Sequence, residues 1–263
     1  MSAVEINPFK SLQENANSYF EKSKKARAKL KGLEKAMQEL KAKAENAESA
    51  GEERQGPEKK RKREWFEKFR WFYTSKNSLL CIAGKDRQSN EQLVKKHMLP
   101  EDLYFHAEIQ GAAHCIIKEG IAKAEEQDKK EAAGFAAVHS KAWSSGISAV
   151  DVYSVRPEQV SKQAQSGEAL GSGAFMIYGE REWHRKTALE FAVGIDENGR
   201  IISGPLEAVK ARAKAFERLE PGSIEKSEMA KKLKTAFEKK TGLKASLDEL
   251  ISAIPGSSAL KKS

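Results

Sequence analysis

The chain has 263 residues, of which 39% are hydrophobic and 32% are charged. This length allows one core of ordinary size plus an extended appendage, because single cores rarely grow beyond about 250 residues. The 47 Lys and Arg outnumber the 38 Asp and Glu and give a net charge of +9, which is typical of proteins that bind phosphate-bearing partners. The same total charge also fits a highly charged protein of a thermophile, so the positions of the charges must decide.

Two further features limit the class of protein. The two cysteines, Cys81 and Cys115, lie inside apolar runs, so we interpret them as small buried residues rather than as a disulfide framework or a metal site. No apolar stretch approaches the roughly 18 residues needed to cross a bilayer, and the first ten residues lack the order of a signal peptide. The sequence therefore predicts a soluble cytoplasmic protein with no membrane partner.

The N-terminal segment has the pattern of a coiled-coil helix. Spacings of four and three alternate along a seam formed by Leu12, Ala16, Tyr19, Ser23, Ala26, Leu30, Leu33, Met37, Leu40, Ala44 and Ala47. Such a seam over about five heptads predicts a helical arm that pairs with another helix, either in this chain or in a second one. Two glycines and a proline within residues 48–58 predict the end of the arm.

A run of cations follows this break and leads into a cluster of aromatic residues. The cations are Lys59, Lys60, Arg61, Lys62 and Arg63, and the aromatics are Trp65, Phe66, Phe69, Trp71, Phe72 and Tyr73. Adjacent cations repel one another unless they are solvated or face an anion, which makes Arg61 and Arg63 candidate contacts to an anionic partner. For most of the aromatics we favour an edge strand whose rings face the core.

The remaining sequence predicts strands mixed with helices. Strands are predicted at residues 78–84, 102–109, 112–118, 149–155, 173–179, 188–196 and, as a short strand, 217–222. Helices are predicted at 89–98, capped by Ser89, at 125–146, ended by Gly146, and at 206–216, 226–240 and 246–254. The dipeptide Asn198-Gly199 predicts a hairpin turn. The fold class is therefore α+β, with a largely antiparallel sheet flanked by helices and preceded by the coiled-coil arm.

Several short motifs follow one another in a specific order after the aromatic cluster. A G-(K/R)-(D/N) turn precedes an N-E-x-L-V-K helix, which is followed by D-x-(Y/W)-x-H-A and a glycine-containing turn. The matching residues are Gly84, Lys85, Asp86, Asn90, Glu91, Leu93, Lys95, Asp102, Tyr104, His106, Ala107 and Gly111. This order resembles the NFACT-R domain at the C-terminal side of NEMF, RqcH and their archaeal relatives.

The resemblance implies a domain plan. Residues 1–57 resemble the family's middle coiled coil, residues 58–204 an NFACT-R-like RNA-binding domain, and residues 205–263 would form a C-terminal helical extension packed on that domain or continuing it. Full-length members carry an NFACT-N domain and a helix-hairpin-helix module before the coiled coil. Neither precedes the arm here, so we expect a truncated protein or a naturally short relative, with a separate NFACT-N-like polypeptide as a further partner.

The resemblance also implies binding to tRNA and large-subunit rRNA during rescue of stalled translation, without a cofactor and without catalysis. Loops held by a sheet are where binding residues concentrate, and lysine and arginine neutralise phosphates. The candidate RNA contacts are Lys85, Asp86, Arg87, Asn90, His106, Gly111 and Lys162, together with Arg61 and Arg63. His106 either fixes its hairpin through hydrogen bonds or contacts RNA, and the residues alone leave both possibilities open.

Other functions remain as alternatives. A metal site would use His106, His114 and Cys115, although His114 and Cys115 should point to opposite faces of a strand. A nuclease would use the carboxylates of Asp86, Glu91, Asp102 and Glu108 to hold a divalent ion. A third alternative is a coiled-coil adaptor that recruits a protein partner and has an incidental basic surface.

Overall fold

The computed structural model describes residues 6–9, 11–49, 64–163 and 170–261, and the chain divides into two compact units, Met1–Lys62 and Arg63–Ser263. The first unit contains one helix, α1 (Leu12–Ser49), of 38 residues. A reciprocal capping box begins it, because the Ser11 hydroxyl accepts the Glu14 amide at 3.2 Å and the Glu14 carboxylate accepts the Ser11 amide at 2.8 Å. The predicted helical arm is thus present.

The described side chains of the α1 seam are exposed. Its large side chains are exposed to the following degrees: Leu12 80%, Tyr19 39%, Leu30 58%, Leu33 54% and Met37 58%. Burying apolar side chains is favourable, so a partner that covered this regularly spaced row would stabilise the helix. Pairing of this helix therefore stays a prediction, and the exposed seam is the surface that would be covered.

The second unit is built from strands that pair antiparallel in every described case. Its strands are β1 (Arg70–Tyr73), β2 (Leu80–Ala83), β3 (Leu103–Ala107), β4 (Cys115–Ile117), β5 (Ala149–Val155), β6 (Val160–Ser161), β7 (Met176–Ile177), β8 (Glu182–Ala188), β9 (Phe191–Ile195), β10 (Ile201–Gly204), β11 (Ala215–Ile224) and β12 (Ser258–Leu260). Its helices are α2 (Arg87–Gln92), α3 (Gly120–Lys123), α4 (Glu126–Val138), α5 (Lys141–Ser144), α6 (Leu206–Lys210), α7 (Lys226–Thr241) and α8 (Leu247–Ala253). Short helical turns occupy Trp65–Lys68, Leu93–His97 and Pro157–Gln159.

Two main sheets form the framework. The first has the strand order β1-β2-β4-β3-β5-β8, and the second has the order β10-β9-β11-β12. The second sheet joins β9 and β10, which precede residue 205, to β11 and β12, which follow it. The α+β class with an antiparallel sheet flanked by helices is confirmed.

Each face of the six-stranded sheet covers its own core, because successive side chains of a strand point to opposite faces. On one face, residues such as Ala83, Phe105 and Cys115 pack against α4 and the second sheet. On the other face, Tyr104 and Ile116 join a smaller cluster that contains Phe66, Phe69, Trp71 and Tyr73, whereas Phe72 packs in the first core. Most of those aromatics are buried or half-buried, as predicted, whereas Trp65 is exposed.

Small residues allow α4 to lie close to the six-stranded sheet. Ala132, Ala133, Ala136 and Ala137 of this helix are fully buried, and small side chains let a helix backbone approach its neighbours closely. Phe135, from the same helix, lies with its ring centroid 4.7 Å from that of Phe72. The tight contact is favourable because protein interiors are packed at the density of organic crystals.

The cysteines and the predicted hairpin agree with the sequence analysis. Cys81 and Cys115 are free, buried thiols. The Asp196 carboxylate accepts the amides of Asn198 and Arg200 at 2.9 Å each, and Gly199 takes a φ of 78° in the turn between β9 and β10. A left-handed φ of this kind is one that glycine adopts without steric cost.

Some helix predictions were wrong in their bounds. The first short helix begins at Arg87 and is capped by Asp86, with Ser89 as its third residue rather than its cap. The helix predicted over 125–146 is two helices, because the Ser140 hydroxyl accepts the Ala142 amide at 3.1 Å and caps a new turn. A serine hydroxyl at this position begins a helix because it accepts one of the unpaired amides of the first helical turn.

Pairing between strands overrides local propensity near the C-terminus. The helix predicted over 206–216 ends at Lys210, and the following ten-residue strand β11 pairs with β9 along residues 215–219. Tertiary contacts of this kind routinely outweigh helix propensity. Strand β8 was not predicted, since its charged residues lack the alternation of a half-buried strand. None of the described helices is long and apolar enough to cross a membrane.

We predict that α1 mediates association through its exposed seam. Leu30→Lys together with Leu33→Lys should abolish self-association or pairing, because two buried charges in a heptad seam cost several kcal/mol, on the order of their desolvation. Sedimentation velocity measures the assembly state. As a control, Gln13→Lys with Asn17→Lys adds the same charge outside the seam and should leave assembly unchanged. A parent protein that is monomeric, fully helical and binds no partner would contradict the interpretation of the seam.

Candidate nucleic-acid interface

The turn between β2 and α2 contains three of the predicted contacts, Lys85, Asp86 and Arg87, all of them exposed. The Asp86 carboxylate accepts the Ser89 amide at 2.8 Å, while the Ser89 hydroxyl accepts the amides of Asp86 at 2.9 Å and Lys85 at 2.8 Å. The hydrogen bonds from Ser89 lower the pKa of Asp86. Since these amides and this carboxylate already serve the turn, a phosphate would meet the side chains of Lys85 and Arg87.

Asn90 has a structural task in the same turn. Its side-chain oxygen accepts the His114 amide at 3.2 Å, so it ties α2 to the residue before β4. Gly84 makes room for this contact, because a Cβ atom at position 84 would lie 1.9 Å from that oxygen. Gly84 and Asn90 therefore fit only as a pair, and the Asn90 oxygen faces the fold.

A loop at residues 171–175 is fastened beside α2. Glu91 accepts the Ser172 hydroxyl at 2.6 Å and the Gly173 amide at 3.0 Å, and it pairs with Lys95 at 2.6 Å. These contacts, the bond from Lys95 first, lower the pKa of Glu91 to about 2. Gly173 takes a φ of +76°, and a Cβ atom there would lie 2.8 Å from the Arg87 carbonyl oxygen. The loop thus passes directly against the first turn of α2.

Lys162 holds the same loop from its other side. Its ammonium donates to the carbonyls of Gly171 at 2.9 Å and Ala174 at 3.0 Å, and it lies 4.8 Å from the Phe175 ring centroid. A cation at this distance is attracted by the ring quadrupole. Lys162 therefore lies beside the β2–α2 turn, but two of its three donors already serve the loop.

His114 lies under this loop with a defined tautomer. Its Nε2 is 2.8 Å from the Gly173 carbonyl oxygen, and its Nδ1 contacts the Tyr104 hydroxyl. A carbonyl oxygen only accepts, so Nε2 carries the proton and Nδ1 accepts from Tyr104. Burial lowers the pKa of His114 to about 4. The ring is neutral at pH 7 and links the loop to the sheet.

Four side chains form a continuous row across the same face of the sheet, which we term the aromatic row: His114, His106, Tyr153 and Trp183. The register pairs His106 with Tyr153 and Tyr153 with Trp183. Successive ring centroids lie 5.1, 5.8 and 5.6 Å apart, which is the range of favourable aromatic contacts. The row extends from the β2–α2 turn to the edge strand β8.

His106 is half-buried in the middle of the row. Burial and the neighbouring His114 lower its pKa to about 3, although a hydrogen bond to the Ala107 backbone opposes the shift. His106 is therefore neutral at pH 7. A neutral ring can stack or hydrogen-bond, but it cannot neutralise a phosphate.

The other predicted contacts lie elsewhere. Gly111 has a φ of 77° in the turn between β3 and β4, where a Cβ atom would lie 3.2 Å from the Lys141 side chain. Arg61 and Arg63 lie outside the described residues. The structure thus brings together Lys85, Asp86, Arg87, Asn90 and Lys162 around the 171–175 loop, with His106 reached through His114.

The carboxylates of the nuclease alternative each have partners of their own. Asp86 caps α2 and Glu91 fastens the loop. Asp102 accepts the Leu99 amide at 2.8 Å and contacts Lys118 at 2.5 Å, and Glu108 lies 3.3 Å from Arg181. No arrangement of these groups around one ion is present in the described ranges.

The side chains of the metal alternative also have other partners. His114 faces the cluster that contains Tyr104, whereas Cys115 packs in the opposite core, with its sulfur 3.2 Å from that of Cys81. Over the part of the chain that the structure describes, no group of three or more His, Cys, Asp or Glu side chains is placed to hold a metal.

Sequence reasoning missed the outer half of the aromatic row. Tyr153 lies in the strand predicted over 149–155, but the sequence indicates no function for its side chain. Trp183 lies in β8, which the sequence does not predict. The pattern Arg181, Trp183, Arg185 carried the signal, because every second residue of a strand points to the same face.

We predict that the histidines of the row make stability depend on pH. The pKa values of His106 and His114 in the fold, about 3 and about 4, lie below the ordinary 6.5, so the unfolded chain binds more protons below about pH 6.5. Stability is then lost as the pH falls from about 6.5 toward 4, by at most about 1.4 kcal/mol per pH unit and histidine. Urea unfolding at about pH 7 and about pH 5 measures this loss. Between these two pH values, the His106→Gln variant should lose less stability than the parent protein. Equal losses would contradict the lowered pKa of His106 in the fold.

Comparison with known proteins matches this part of the chain to a protein family. Residues 68–179 match the NFACT protein RNA binding domain. The archaeal Rqc2 homolog aRqcH of Methanocaldococcus jannaschii is 41% identical over 182 residues, which cover 68% of this chain and 27% of that protein. The ribosome quality control complex subunit NEMF homolog of Drosophila melanogaster is 45% identical over 48% of this chain and 12% of its own, and NEMF of Homo sapiens is 34% identical over 64% and 16%.

The chain spans about a quarter of the length of the archaeal relative and less of the animal ones. The matched domain covers β1 to β7 and thereby the β2–α2 turn, the 171–175 loop and the inner part of the aromatic row. The motif order, the fold and these matches together show that the chain belongs to the NFACT family of RqcH-like and NEMF-like proteins and corresponds to the C-terminal part that contains the RNA-binding domain.

Proposed function

We propose that this chain binds RNA on or near the large ribosomal subunit during the rescue or quality control of stalled translation. The observation that carries the proposal is the RNA-binding domain at residues 68–179, supported by the names of the relatives as ribosome quality control proteins. Its partners would be tRNA and large-subunit rRNA, and its place of action the cytoplasm.

The β2–α2 turn is the phosphate-facing part of the proposed interface. Lys85 and Arg87 are exposed and separated by one residue, and the turn is held by the Asp86–Ser89 hydrogen bonds and by the pair Gly84 and Asn90. A preformed turn loses little conformational entropy on binding. Asp86, Asn90 and Lys162 position this surface in the proposal, and Lys85 and Arg87 contact the RNA.

In this proposal the chain acts by binding and not by catalysis. The carboxylates and histidines that would carry chemistry are engaged in separate hydrogen bonds and ion pairs. Recognition of RNA by shape and phosphate needs exposed cations and a rigid surface, and the β2–α2 turn offers both.

A second candidate function is supported by the exposed seam of α1. Leu12, Leu30, Leu33 and Met37 are each more than half exposed, which favours a helix that recruits a partner. The partner would be a second copy, another coiled-coil protein or a separate NFACT-N-like polypeptide. This role is compatible with RNA binding, because the seam belongs to the first compact unit and the matched RNA-binding domain to the second.

We predict that the protein sediments with the large ribosomal subunit in a sucrose gradient at low salt and leaves it as salt rises. Cations that meet phosphates release counterions, with a log–log slope of roughly −0.7 to −0.9 for each neutralised phosphate. Titration of purified tRNA and of large-subunit RNA at several salt concentrations gives this slope. A protein that stays at the top of the gradient and shows no salt-dependent affinity would overturn the proposed function.

We predict that Lys85 and Arg87 matter beyond their charge. Lys85→Ala with Arg87→Ala should weaken RNA binding about ten-fold or more, since a hydrogen bond to a charged group contributes about 1.5 kcal/mol. Lys231→Ala with Lys232→Ala removes the same charge from the exposed face of α7 and serves as the matched control. Fluorescence anisotropy with labelled tRNA compares the two. Equal losses in two folded variants would mean that diffuse charge, and not the turn, binds the RNA.

A further inference from the structure

The edge strand β8 carries stacked cations and rings on one face. The Arg185 guanidinium carbon lies 3.9 Å from the Trp183 ring centroid. The Arg181 guanidinium carbon lies 4.5 Å from the centroid of Tyr153 and 5.8 Å from that of Trp183. The aromatic row therefore ends in the sequence Arg181, Trp183, Arg185.

A β-bulge shapes this edge. The register between β5 and β8 shifts between Val150 and Val152, so Arg185 and Lys186 lie opposite Asp151 alone. The Asp151 carboxylate accepts the Arg185 guanidinium at 2.6 Å and the Lys186 amide at 2.7 Å. Lys186 has a φ of 49°, a conformation that is uncommon for a residue with a side chain and persists where the surroundings fix it.

We propose that the edge formed by Trp183, Arg185 and Lys186 binds an unpaired nucleotide of single-stranded RNA, with its base stacked on the Arg185–Trp183 pair. The inference rests on the proposed function and deepens it, because it names the form of RNA that this surface selects. Bases stack on aromatic rings and on guanidinium planes in proteins that bind unpaired RNA.

The charges at this edge favour a base over a phosphate. Asp151 and Glu108 each accept one guanidinium hydrogen bond, from Arg185 and Arg181 respectively. One face of the Arg185 guanidinium lies on the Trp183 ring, so a base would stack on its opposite face. The negative charges of Asp151 and Glu108 are outnumbered by three positive ones, on Arg181, Arg185 and Lys186. This small excess of positive charge attracts phosphate weakly, whereas a planar base needs a flat, rigid surface.

The stack is accessible and rigid. The side chain of Arg185 is 59% exposed, while Trp183 is half-buried against the cluster around Tyr153. Among the described strands, β8 pairs with β5 alone and forms the margin of the sheet. Bases within a duplex have both faces covered by their neighbours, so only an unpaired or flipped base can use this surface. Lys186, next in the bulge, is exposed and suited to the phosphate of the same nucleotide.

The test compares three RNA ligands with the whole chain: a short single-stranded oligonucleotide, the same oligonucleotide with abasic riboses, and its duplex. The parent protein should bind the base-carrying single strand about ten-fold more tightly than the abasic one, because stacking is sequence-tolerant and strong. Trp183→Leu and Arg185→Lys should each remove most of this preference and leave the affinity for the abasic strand unchanged. Arg185→Lys keeps the charge and the fold. It therefore tests the stacking proposal even if the Trp183→Leu variant does not fold.

Arg200→Lys is the matched control, because it makes the same substitution at an exposed arginine in the β9–β10 turn of the other sheet. It should leave the preference for base-carrying over abasic strands unchanged. The proposal is overturned if the parent protein binds base-carrying and abasic strands equally, or if Arg185→Lys keeps the full preference. In either case, retained salt-dependent binding of tRNA leaves the proposed function intact, and loss of all RNA binding in the parent protein overturns both.

Discussion

The register of β4, β3, β5 and β8 is the constraint on which the rest of the surface depends. It aligns His106, Tyr153 and Trp183 across β3, β5 and β8, with His114 directly before β4. A slip of one residue in any of these strands would turn its side chain of the row toward the opposite face of the sheet. The register is fixed because both faces of the sheet are buried against separate apolar clusters. The proposed RNA surface is therefore specified by the same alternation that builds the two cores.

The two ends of the row differ in chemistry. At the β2–α2 end, Lys85 and Arg87 are exposed in a turn whose Lys85 and Asp86 amides are already bonded, and we propose that their side chains contact phosphates. At the β8 end, Glu108 and Asp151 accept hydrogen bonds from Arg181 and Arg185, whose guanidinium planes lie over the Tyr153 and Trp183 rings. Between these ends, His106 and His114 are neutral because burial disfavours their charged forms. In the two proposals, one strip of sheet thus offers separate positions for the RNA backbone and for a base.

Much of the fold follows from local sequence, and the failures have physical causes. The run around Cys81, the Asn198-Gly199 turn and the heptads from Leu12 carry strong periodic or turn signals, and the structure has the elements they predict. Strand β8 has no apolar alternation because it lies at the margin of the sheet, and β11 forms in a helix-prone segment because β9 supplies its hydrogen bonds. The family motif located the turn at Lys85, but the roles of Asn90 and Lys162 within the fold depend on long-range contacts, with His114 and with the 171–175 loop, that no local pattern encodes.

The bulge opposite Asp151 has a consequence for the solution behaviour of the protein. An unpaired strand edge is a template on which a second sheet can grow, and proteins protect such edges with charges, bulges and irregular twist. Strand β8 combines a bulge with exposed Arg185 and Lys186, which makes continuous pairing with another copy unfavourable. The same irregularity that displays a stacking surface thereby protects the sheet against edge-to-edge aggregation.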